Sequence, residues 1–199
     1  KQIGTYYKDK VILITGGGGS IGSELCRQLA KFSPKTIVIL DIYENGAYDV
    51  QQDLLLMYKR DTDVRVEIAS ITNERAMEKV FEAYRPQIVI NAAAHKHVPL
   101  MEHNCVEAVE NNVFGTKILI DLCERYEAER FMMVSTDKAV NPTNVMGASK
   151  RIAEIYVQSL FLKQVQTNAN CTKFITTRFG NVLGSNGSVV PFFKKQIAE

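Results

Sequence analysis

Residues 11–22 have the sequence Val11-Ile-Leu-Ile-Thr-Gly-Gly-Gly-Gly-Ser-Ile-Gly22, in which an apolar run ends at a row of glycines. The apolar run predicts a buried strand, and a helical pattern begins directly after the glycines. Gly16, Gly19 and Gly22 recur at every third position, and only glycine combines a sharp turn with close approach of the backbone to an anion. The segment therefore predicts a loop that binds the diphosphate of a dinucleotide. The alternative is a glycine-rich turn without a ligand.

Apolar runs and helical patterns alternate along the rest of the chain. The predicted strands are Val11–Thr15, Thr36–Leu40, Val64–Ile68, Ile88–Ile90, Phe131–Val134 and Phe174–Thr177. The predicted helices lie at about residues 20–32, 46–59, 73–84, 104–126 and 145–166. The last helix has an apolar face, which we expect to be buried, at Ile152, Ile155, Tyr156 and Leu160. This alternation predicts an α/β fold with a doubly wound, mostly parallel sheet and helices on both faces.

The composition indicates one globular domain over residues 1–199. Of the 199 residues, 46% are hydrophobic and 23% are charged, which argues against disorder. The net charge of +2, without a basic cluster, argues against a nucleic-acid partner. No apolar run reaches the roughly 18 residues of a membrane span, and the four cysteines form no C-x-x-C pair, so we expect a reducing, cytoplasmic location. The histidines lack the further ligands that zinc needs, so we predict no metal.

Asp41 lies at the end of the second predicted strand, 19 residues after Gly22. An acidic side chain at this position accepts hydrogen bonds from the adenosine ribose hydroxyls of a dinucleotide. Because a carboxylate repels a phosphate group on that ribose, Asp41 favours NAD over NADP. The alternative is an aspartate that caps a turn or a helix.

Residues with catalytic chemistry follow the fifth predicted strand. Ser135-Thr-Asp-Lys138 lies where the strand ends, and Met146-Gly-Ala-Ser-Lys150 begins eight residues after Lys138. Strand ends at the carboxyl edge of a doubly wound sheet face the ligand crevice. We therefore expect both segments beside a bound cofactor, whereas an Asp-Lys pair elsewhere is usually a solvated turn.

These motifs resemble the extended short-chain dehydrogenases/reductases, whose usual signature is Tyr-x-x-x-Lys with an upstream Ser or Thr. Lys150 matches the lysine, but Met146 stands at the tyrosine position. One branch shares this pattern: the nucleotide-sugar dehydratases of capsular polysaccharide biosynthesis, including membrane-anchored UDP-N-acetylglucosamine 4,6-dehydratases. Further motifs similar to that branch are Asn91–Glu102, Asn112–Thr116, Asn141–Lys150 and Arg178–Ser188. The resemblance covers about residues 10–197 and implies a Rossmann-like, NAD-binding lyase.

In such an enzyme a hydride leaves C4 of the sugar for NAD, water is lost across C5 and C6, and the hydride returns to C6. The resemblance implies that Asp137 replaces the phenol as base at the 4-hydroxyl and donates a proton at C6. Lys138 would take the C5 proton, and Thr136 would hydrogen-bond the C4 oxygen. Lys150 would hold the cofactor ribose, and Met146 has no ionisable group that could take part in proton transfer.

The resemblance also assigns binding residues. Those for the cofactor are Gly16, Gly19, Ser20, Ile21, Gly22, Asp41, Ser70, Ile71, Ala92, Ala93, Ala94, Lys96, Asn112 and Lys150. Those for the substrate are His97, Asn181, Ser188 and Val189. Ser70 departs from the relatives, which usually place an aspartate there to meet the adenine amino group. The three alanines have an alternative explanation in plain helix packing.

We expect this chain to be a catalytic-domain fragment that largely lacks the carboxyl-terminal substrate-binding portion and turns over slowly or not at all. The resemblance further implies a UDP-sugar substrate, a homo-oligomer and, in the full-length protein, a membrane anchor. Two alternatives remain open. A nucleotide-sugar epimerase would release a product that has lost no water, and a non-enzymatic NAD-binding sensor would not need Asp137, Lys138 and Lys150 together.

Overall fold

A parallel sheet of six strands, in the order β3-β2-β1-β4-β5-β6, forms the centre of the molecule. The computed structural model describes residues 2–58, 62–167, 172–185 and 189–198. The strands are β1 (Val11–Thr15), β2 (Thr36–Asp41), β3 (Asp63–Ile68), β4 (Ile88–Asn91), β5 (Arg130–Thr136) and β6 (Lys173–Phe179). Every neighbouring pair of strands is parallel, so the predicted doubly wound α/β fold is confirmed.

Helices connect the strands and cover both faces of the sheet. They are α1 (Gln2–Tyr7), α2 (Ser20–Ala30), α3 (Glu44–Tyr58), α4 (Glu74–Tyr84), α5 (Val98–His103), α6 (Cys105–Val109), α7 (Thr116–Arg125), α8 (Val145–Thr167) and α9 (Val189–Ala198). A π-helical turn, Glu110–Gly115, joins α6 to α7, and a 3₁₀ turn, Asp137–Ala139, follows β5. In the part of the chain that the structure describes, no helix is both long and apolar enough to cross a bilayer.

The central strands are buried on both faces, which explains their unbroken apolar runs. On one face, Leu13 and Val89 belong to a core cluster that includes Phe81 of α4. On the other face, Ile12 and Ile39 belong to a second cluster, to which α2 and α3 contribute. Because successive side chains of a strand point to opposite faces, each short strand supplies both clusters.

The strand order places a crevice at the carboxyl edge of the sheet. β1 pairs with β2 on one side and with β4 on the other. The chain therefore adds β2 and β3 on one side of β1, then crosses over and adds β4, β5 and β6 on the other side, so the strand order reverses between β1 and β4. Thr15 and Asn91, the last residues of these two strands, are register partners. Ligands of open α/β sheets bind in the crevice outside such a switch point.

One predicted helix is interrupted. The pattern at 104–126 predicts a continuous helix, but the structure has α6, the π-helical turn and α7 in its place. The turn contains Asn112, whose carbonyl accepts a hydrogen bond from Thr116 Oγ1 at 2.8 Å and whose side chain is buried. A π-helical turn re-aims side chains within a helix, and such turns are frequent at functional sites. The short helices α1 and α5 are not among the predicted elements.

The predicted buried face of α8 is partly wrong, because Ile152 and Ile155 are about half exposed, at 49% and 50%. Ala153, Val157 and Leu160 of α8 are buried in the first core cluster, and Met146 in its first turn is buried in a smaller one. Two charged residues one turn apart, Lys150 and Glu154, are buried with them. The buried face of α8 therefore contains these two charged residues as well as apolar ones.

Candidate active site

A cavity of about 600 Å³ lies at the carboxyl edge of the sheet, a volume suited to a small-molecule ligand. The predicted site residues that line it are Gly16, Gly19, Ser20, Ile21, Gly22, Asp41, Ile71, Ala92, Ala93, Ala94, Lys96, His97, Thr136, Lys138, Met146, Lys150 and Asn181. Predicted cofactor, catalytic and substrate residues thus share one cavity.

The other predicted site residues are not among the described residues that line the cavity. Ser70 shares a hydrogen bond of 2.8 Å with Thr72 and is not part of the cavity wall. Asn112 lies behind that wall, and Asp137 lies outside its rim. Ser188 lies outside the described residues, and Val189 begins α9 but its side chain is not described.

The glycine loop between β1 and α2 has no room for side chains. Gly16 has a φ of +65°, and a Cβ atom there would lie 2.6 Å from the backbone nitrogen of Ala93. A Cβ atom on Gly22 would lie 2.1 Å from the carbonyl oxygen of Gly16. The loop therefore forms a cradle at the N-terminus of α2, where backbone N–H groups and the helix dipole favour an anion. This cradle fits the diphosphate of a dinucleotide.

Asp41 has a structural role in the same loop. Its carboxylate accepts hydrogen bonds from the backbone N–H groups of Gly18 at 2.9 Å and Tyr43 at 3.0 Å. Each carboxylate oxygen can accept a further hydrogen bond, and the side chain lines the cavity. Asp41 is therefore placed to accept hydrogen bonds from ligand hydroxyls, while it also fixes the loop that it faces.

A series of buried hydrogen bonds connects the strand ends behind the cavity. Thr15 Oγ1 donates to Asn91 Oδ1 at 2.7 Å, and Asn91 Nδ2 donates to Thr116 Oγ1 at 3.0 Å. None of these three side chains is more than 1% exposed. Because buried polar groups are stable only when they are hydrogen-bonded, the series fixes β1, β4 and the start of α7 relative to one another.

Asn112 holds the cavity wall and does not face the cavity. Its Oδ1 accepts from the backbone N–H of His95 at 2.9 Å, and its Nδ2 donates to the His95 carbonyl at 3.1 Å and to Ser149 Oγ at 3.0 Å. Ser149 Oγ in turn donates to the carbonyl of Met146 at 2.8 Å. Asn112 thereby joins the segment after β4 to the first turns of α8.

We expect Asn112→Ala to lower the free energy of unfolding by about 2–4 kcal/mol, because it leaves the backbone N–H and carbonyl of His95 without their side-chain partner and removes the hydrogen bond to Ser149. Urea denaturation followed by circular dichroism measures the change. The matched control is Asn104→Ala, since Asn104 is exposed and should cost less than about 1 kcal/mol. Equal losses for the two variants would contradict the role assigned to Asn112.

Polar side chains of three adjoining residues meet at the end of β5. Thr136 Oγ1 donates to Asp137 Oδ1 at 2.8 Å. Lys138 Nζ donates to Asp137 Oδ1 at 3.2 Å and to Asn181 Oδ1 at 3.1 Å. The hydrogen bonds from Thr136 and then Lys138 lower the pKa of Asp137, so its carboxylate is ionised at neutral pH and can accept a proton. The Lys138 side chain is 36% exposed, so it remains open to the cavity.

The first turn of α8 packs directly against this group. A Cβ atom on Gly147 would lie 2.3 Å from the carbonyl oxygen of Lys138, so no larger residue fits there without displacing the 3₁₀ turn. Met146 is buried against Met101 and Ala108 and presents part of its surface to the cavity. The methionine therefore forms an apolar wall where the resemblance would otherwise place a phenol.

Lys150 is a buried cation at the wall of the cavity, with only 4% of its surface exposed. Burial lowers the pKa of Lys150 to about 8, and the negative charge of Glu154 one turn away raises it in part. Lys150 is therefore mostly protonated at neutral pH and loses its charge in mildly alkaline solution.

Glu154 is absent from the residues predicted for the site. It is buried beside the cavity and accepts hydrogen bonds from Ser135 and from the partly exposed Arg178. The four-residue spacing between Lys150 and Glu154 is the one available signal, because it places both side chains on one helix face. Within the described ranges, no group of three or more His, Cys, Asp or Glu side chains could hold a metal ion.

The chain is similar in sequence to known proteins. The profile of a family described as polysaccharide biosynthesis protein matches residues 12–199. The capsular polysaccharide biosynthesis protein CapD of Staphylococcus aureus is 49% identical over 189 residues, which are 95% of this chain and 31% of CapD. A UDP-N-acetylglucosamine 4,6-dehydratase (inverting) of Campylobacter jejuni is 37% identical over 205 residues, 97% of this chain and 55% of that enzyme.

The fold also matches a solved structure. Pen from Bacillus thuringiensis superposes with a TM-score of 0.87 at 33% sequence identity, over 98% of this chain and 59% of that one. The chain spans about a third of CapD and about half of the dehydratase.

Proposed function

Because the chain belongs to the polysaccharide biosynthesis protein family, we propose that it is the catalytic domain of an NAD-dependent nucleotide-sugar 4,6-dehydratase. The substrate would be a UDP-N-acetylhexosamine, with UDP-N-acetylglucosamine favoured. The product would be a UDP-4-keto-6-deoxy sugar for surface polysaccharide. The observation that carries the proposal is that Thr136, Lys138 and the apolar Met146 line one cavity. Asp137, just outside that wall, is hydrogen-bonded to both Thr136 and Lys138.

The cofactor would lie across the switch point of the sheet. The glycine loop and the N-terminus of α2 would hold the diphosphate, and Asp41 would accept hydrogen bonds from the adenosine ribose hydroxyls, which favours NAD over NADP. Lys150 would donate to the other ribose, and Ala92–Ala94 would leave room for the ligand. When bound, NAD supplies a reversible hydride acceptor.

The chain's own residues would move the protons. The ionised Asp137 would take the proton of the 4-hydroxyl while Thr136 Oγ1 donates a hydrogen bond to the same oxygen. Lys138 Nζ would take the proton from C5, which a C4 ketone makes acidic. Asp137, now protonated, would return its proton to the departing 6-hydroxyl, so that water leaves. Once C6 has received the hydride, Lys138, which exchanges its protons with solvent, would give a proton back to C5 and complete the 4-keto-6-deoxy sugar. Each proton taken up is thus assigned to a side chain at the end of β5.

Substrate contacts would come from Asn181 and His97, which also line the cavity. Asn181 already accepts from Lys138, and His97 stands at the start of α5, so both are placed for polar groups of the sugar nucleotide. Ser188 and Val189 are proposed as further contacts on the resemblance alone.

Mass spectrometry of UDP-N-acetylglucosamine incubated with the chain and NAD tests this function. A dehydratase gives a product lighter by one water. A nucleotide-sugar epimerase, the second candidate, gives a product of unchanged mass, and NAD binding without any product fits a non-enzymatic sensor.

NAD affinity should depend on pH through Lys150. Lys150 carries its charge below its pKa of about 8 and is neutral above it, so the attraction to the anionic cofactor disappears as the pH rises. We expect the Kd for NAD to increase about tenfold between about pH 7 and about pH 9. Lys150→Arg, whose guanidinium stays charged, should flatten this dependence. Calorimetric titration measures both, and a flat profile for the unmodified chain would contradict the role of Lys150.

A further inference from the structure

Glu154 is a fully buried carboxylate in the middle of α8, with 0% of its side chain exposed. Its Oε1 accepts from Ser135 Oγ at 2.7 Å and from Arg178 Nε at 2.7 Å. Its Oε2 accepts from Arg178 Nη2 and from Arg151 Nη1, the latter at 3.1 Å. One carboxylate therefore receives four hydrogen bonds, three of them from cations.

These partners lie on different elements of the site. Ser135 is the residue before Thr136 at the end of β5, and Arg178 is the register partner of Ser135 on β6. β6 ends at Phe179, and the chain continues to Asn181, which accepts from Lys138. Glu154 thus connects the two strand ends that carry the Lys138 contacts.

Glu154 also acts on Lys150 through charge. The two residues are one helical turn apart, and among the residues that the structure describes none accepts a hydrogen bond from the Lys150 ammonium. Burial alone would raise the pKa of Glu154, but the hydrogen bonds from Arg178, Ser135 and Arg151 outweigh it and lower the pKa. The carboxylate is therefore ionised and stabilises the buried cation. The other charged or titratable side chains on the cavity wall are Asp41, His95, Lys96, His97 and Lys138.

We propose that Glu154 is a positioning residue of this site: through its hydrogen bonds to Ser135 and Arg178 it holds α8, the helix that carries Lys150, against the ends of β5 and β6. The proposal rests on the proposed function, because that function assigns cofactor binding to Lys150 and proton transfer to Lys138. Glu154 itself does not line the cavity and needs no contact with a ligand. Its effect passes through Lys150, Ser135 and Arg178.

Two substitutions, one that removes a negative charge and one that removes a positive charge, distinguish this role from a contribution to fold stability alone. Glu154→Gln keeps the shape of the side chain but removes its charge, so the Lys150 titration should move down by about one pH unit or more. Arg178→Gln removes a cation that offsets Glu154, so the same titration should move up. A residue that only stabilises the fold would not shift the two variants in opposite directions.

The measurement is an NMR titration of the lysine side-chain carbons without cofactor, in which the Lys150 signal is identified by its loss in Lys150→Arg. The control is Glu107→Gln, since Glu107 is exposed on α6 and should leave the titration unchanged. If Glu154→Gln does not fold, the upward shift in Arg178→Gln still decides the matter. An unshifted Lys150 titration in Arg178→Gln, or in a folded Glu154→Gln, overturns the proposal.

NAD affinity, measured on the same proteins, keeps this proposal distinct from the proposed function. If the unmodified chain fails to bind NAD, the proposed function fails, while the Lys150 titration still tests Glu154. If the unmodified chain binds NAD, we expect Glu154→Gln to move the pH dependence of binding down together with the Lys150 titration. Binding that keeps its original pH dependence in Glu154→Gln overturns the positioning role.

Discussion

Lys138→Met is expected to lower the rate of dehydration by about 10³-fold, because it removes the amine that takes the C5 proton. Methionine has a similar length and no ionisable group, so the cavity keeps its shape. NAD affinity should stay within about twofold, since the residues that would hold the cofactor are elsewhere on the cavity wall. Product formation is followed by mass spectrometry, and NAD binding by calorimetric titration.

Lys138→Arg distinguishes a role of Lys138 in proton transfer from a role as a positive charge. Arginine keeps a cation that can reach Asp137 and Asn181, but it does not release its proton at neutral pH. We expect this variant to be as inactive as Lys138→Met. Lys79→Met, an exposed position on α4, is the control and should retain full activity. Activity of Lys138→Arg within about tenfold of the unmodified chain would show that Lys138 contributes charge and does not act as a base.

Gly16→Ala should abolish NAD binding and destabilise the fold. A residue other than glycine at a φ of +65° is strained by about 1–2 kcal/mol, and the added Cβ would lie 2.6 Å from backbone that cannot move without displacing β4. Together with the overpacking, we expect a loss of about 2–5 kcal/mol in the free energy of unfolding. The Kd for NAD should rise by at least about 10²-fold, because the loop that holds the diphosphate is displaced.

Gly184→Ala is the matched control for backbone strain. Gly184 also has a positive φ, of +71°, but a Cβ there would meet no atom within 4 Å. The variant should lose only about 1–2 kcal/mol and leave NAD affinity unchanged. If Gly16→Ala binds NAD as well as Gly184→Ala does, the glycine loop is not the diphosphate site.

The sheet could be predicted closely because its signals are local. β-branched runs mark the strands, and the observed bounds differ from the predicted ones by at most two residues; β5, for example, extends from the predicted Phe131–Val134 to Arg130–Thr136. The added residues Ser135 and Thr136 are polar, and their place in the strand depends on pairing with β6. The π-helical turn could not be predicted, since the pattern of apolar residues through it is compatible with a continuous helix.

A position on the cavity wall could be predicted where a residue's chemistry and its distance from a strand end agree, as for Asp41 and Lys138. A position behind that wall could not be predicted, because it depends on tertiary contacts. Asn112 has the polarity of a ligand-binding residue, but the structure uses it to hold the backbone of His95. Glu154 was missed because a glutamate in a helix is usually exposed, and its burial depends on hydrogen bonds that include those from Arg178 on β6 and Ser135 on β5.

The most direct test of the proposed dehydration is the reaction of UDP-N-acetylglucosamine with the chain and NAD in deuterium oxide. Removal of the C5 proton by Lys138 and its replacement from solvent predict a product that has lost one water and gained one deuterium, which NMR locates at C5. A product of unchanged mass without deuterium on C5 would contradict the account and indicate epimerisation at C4.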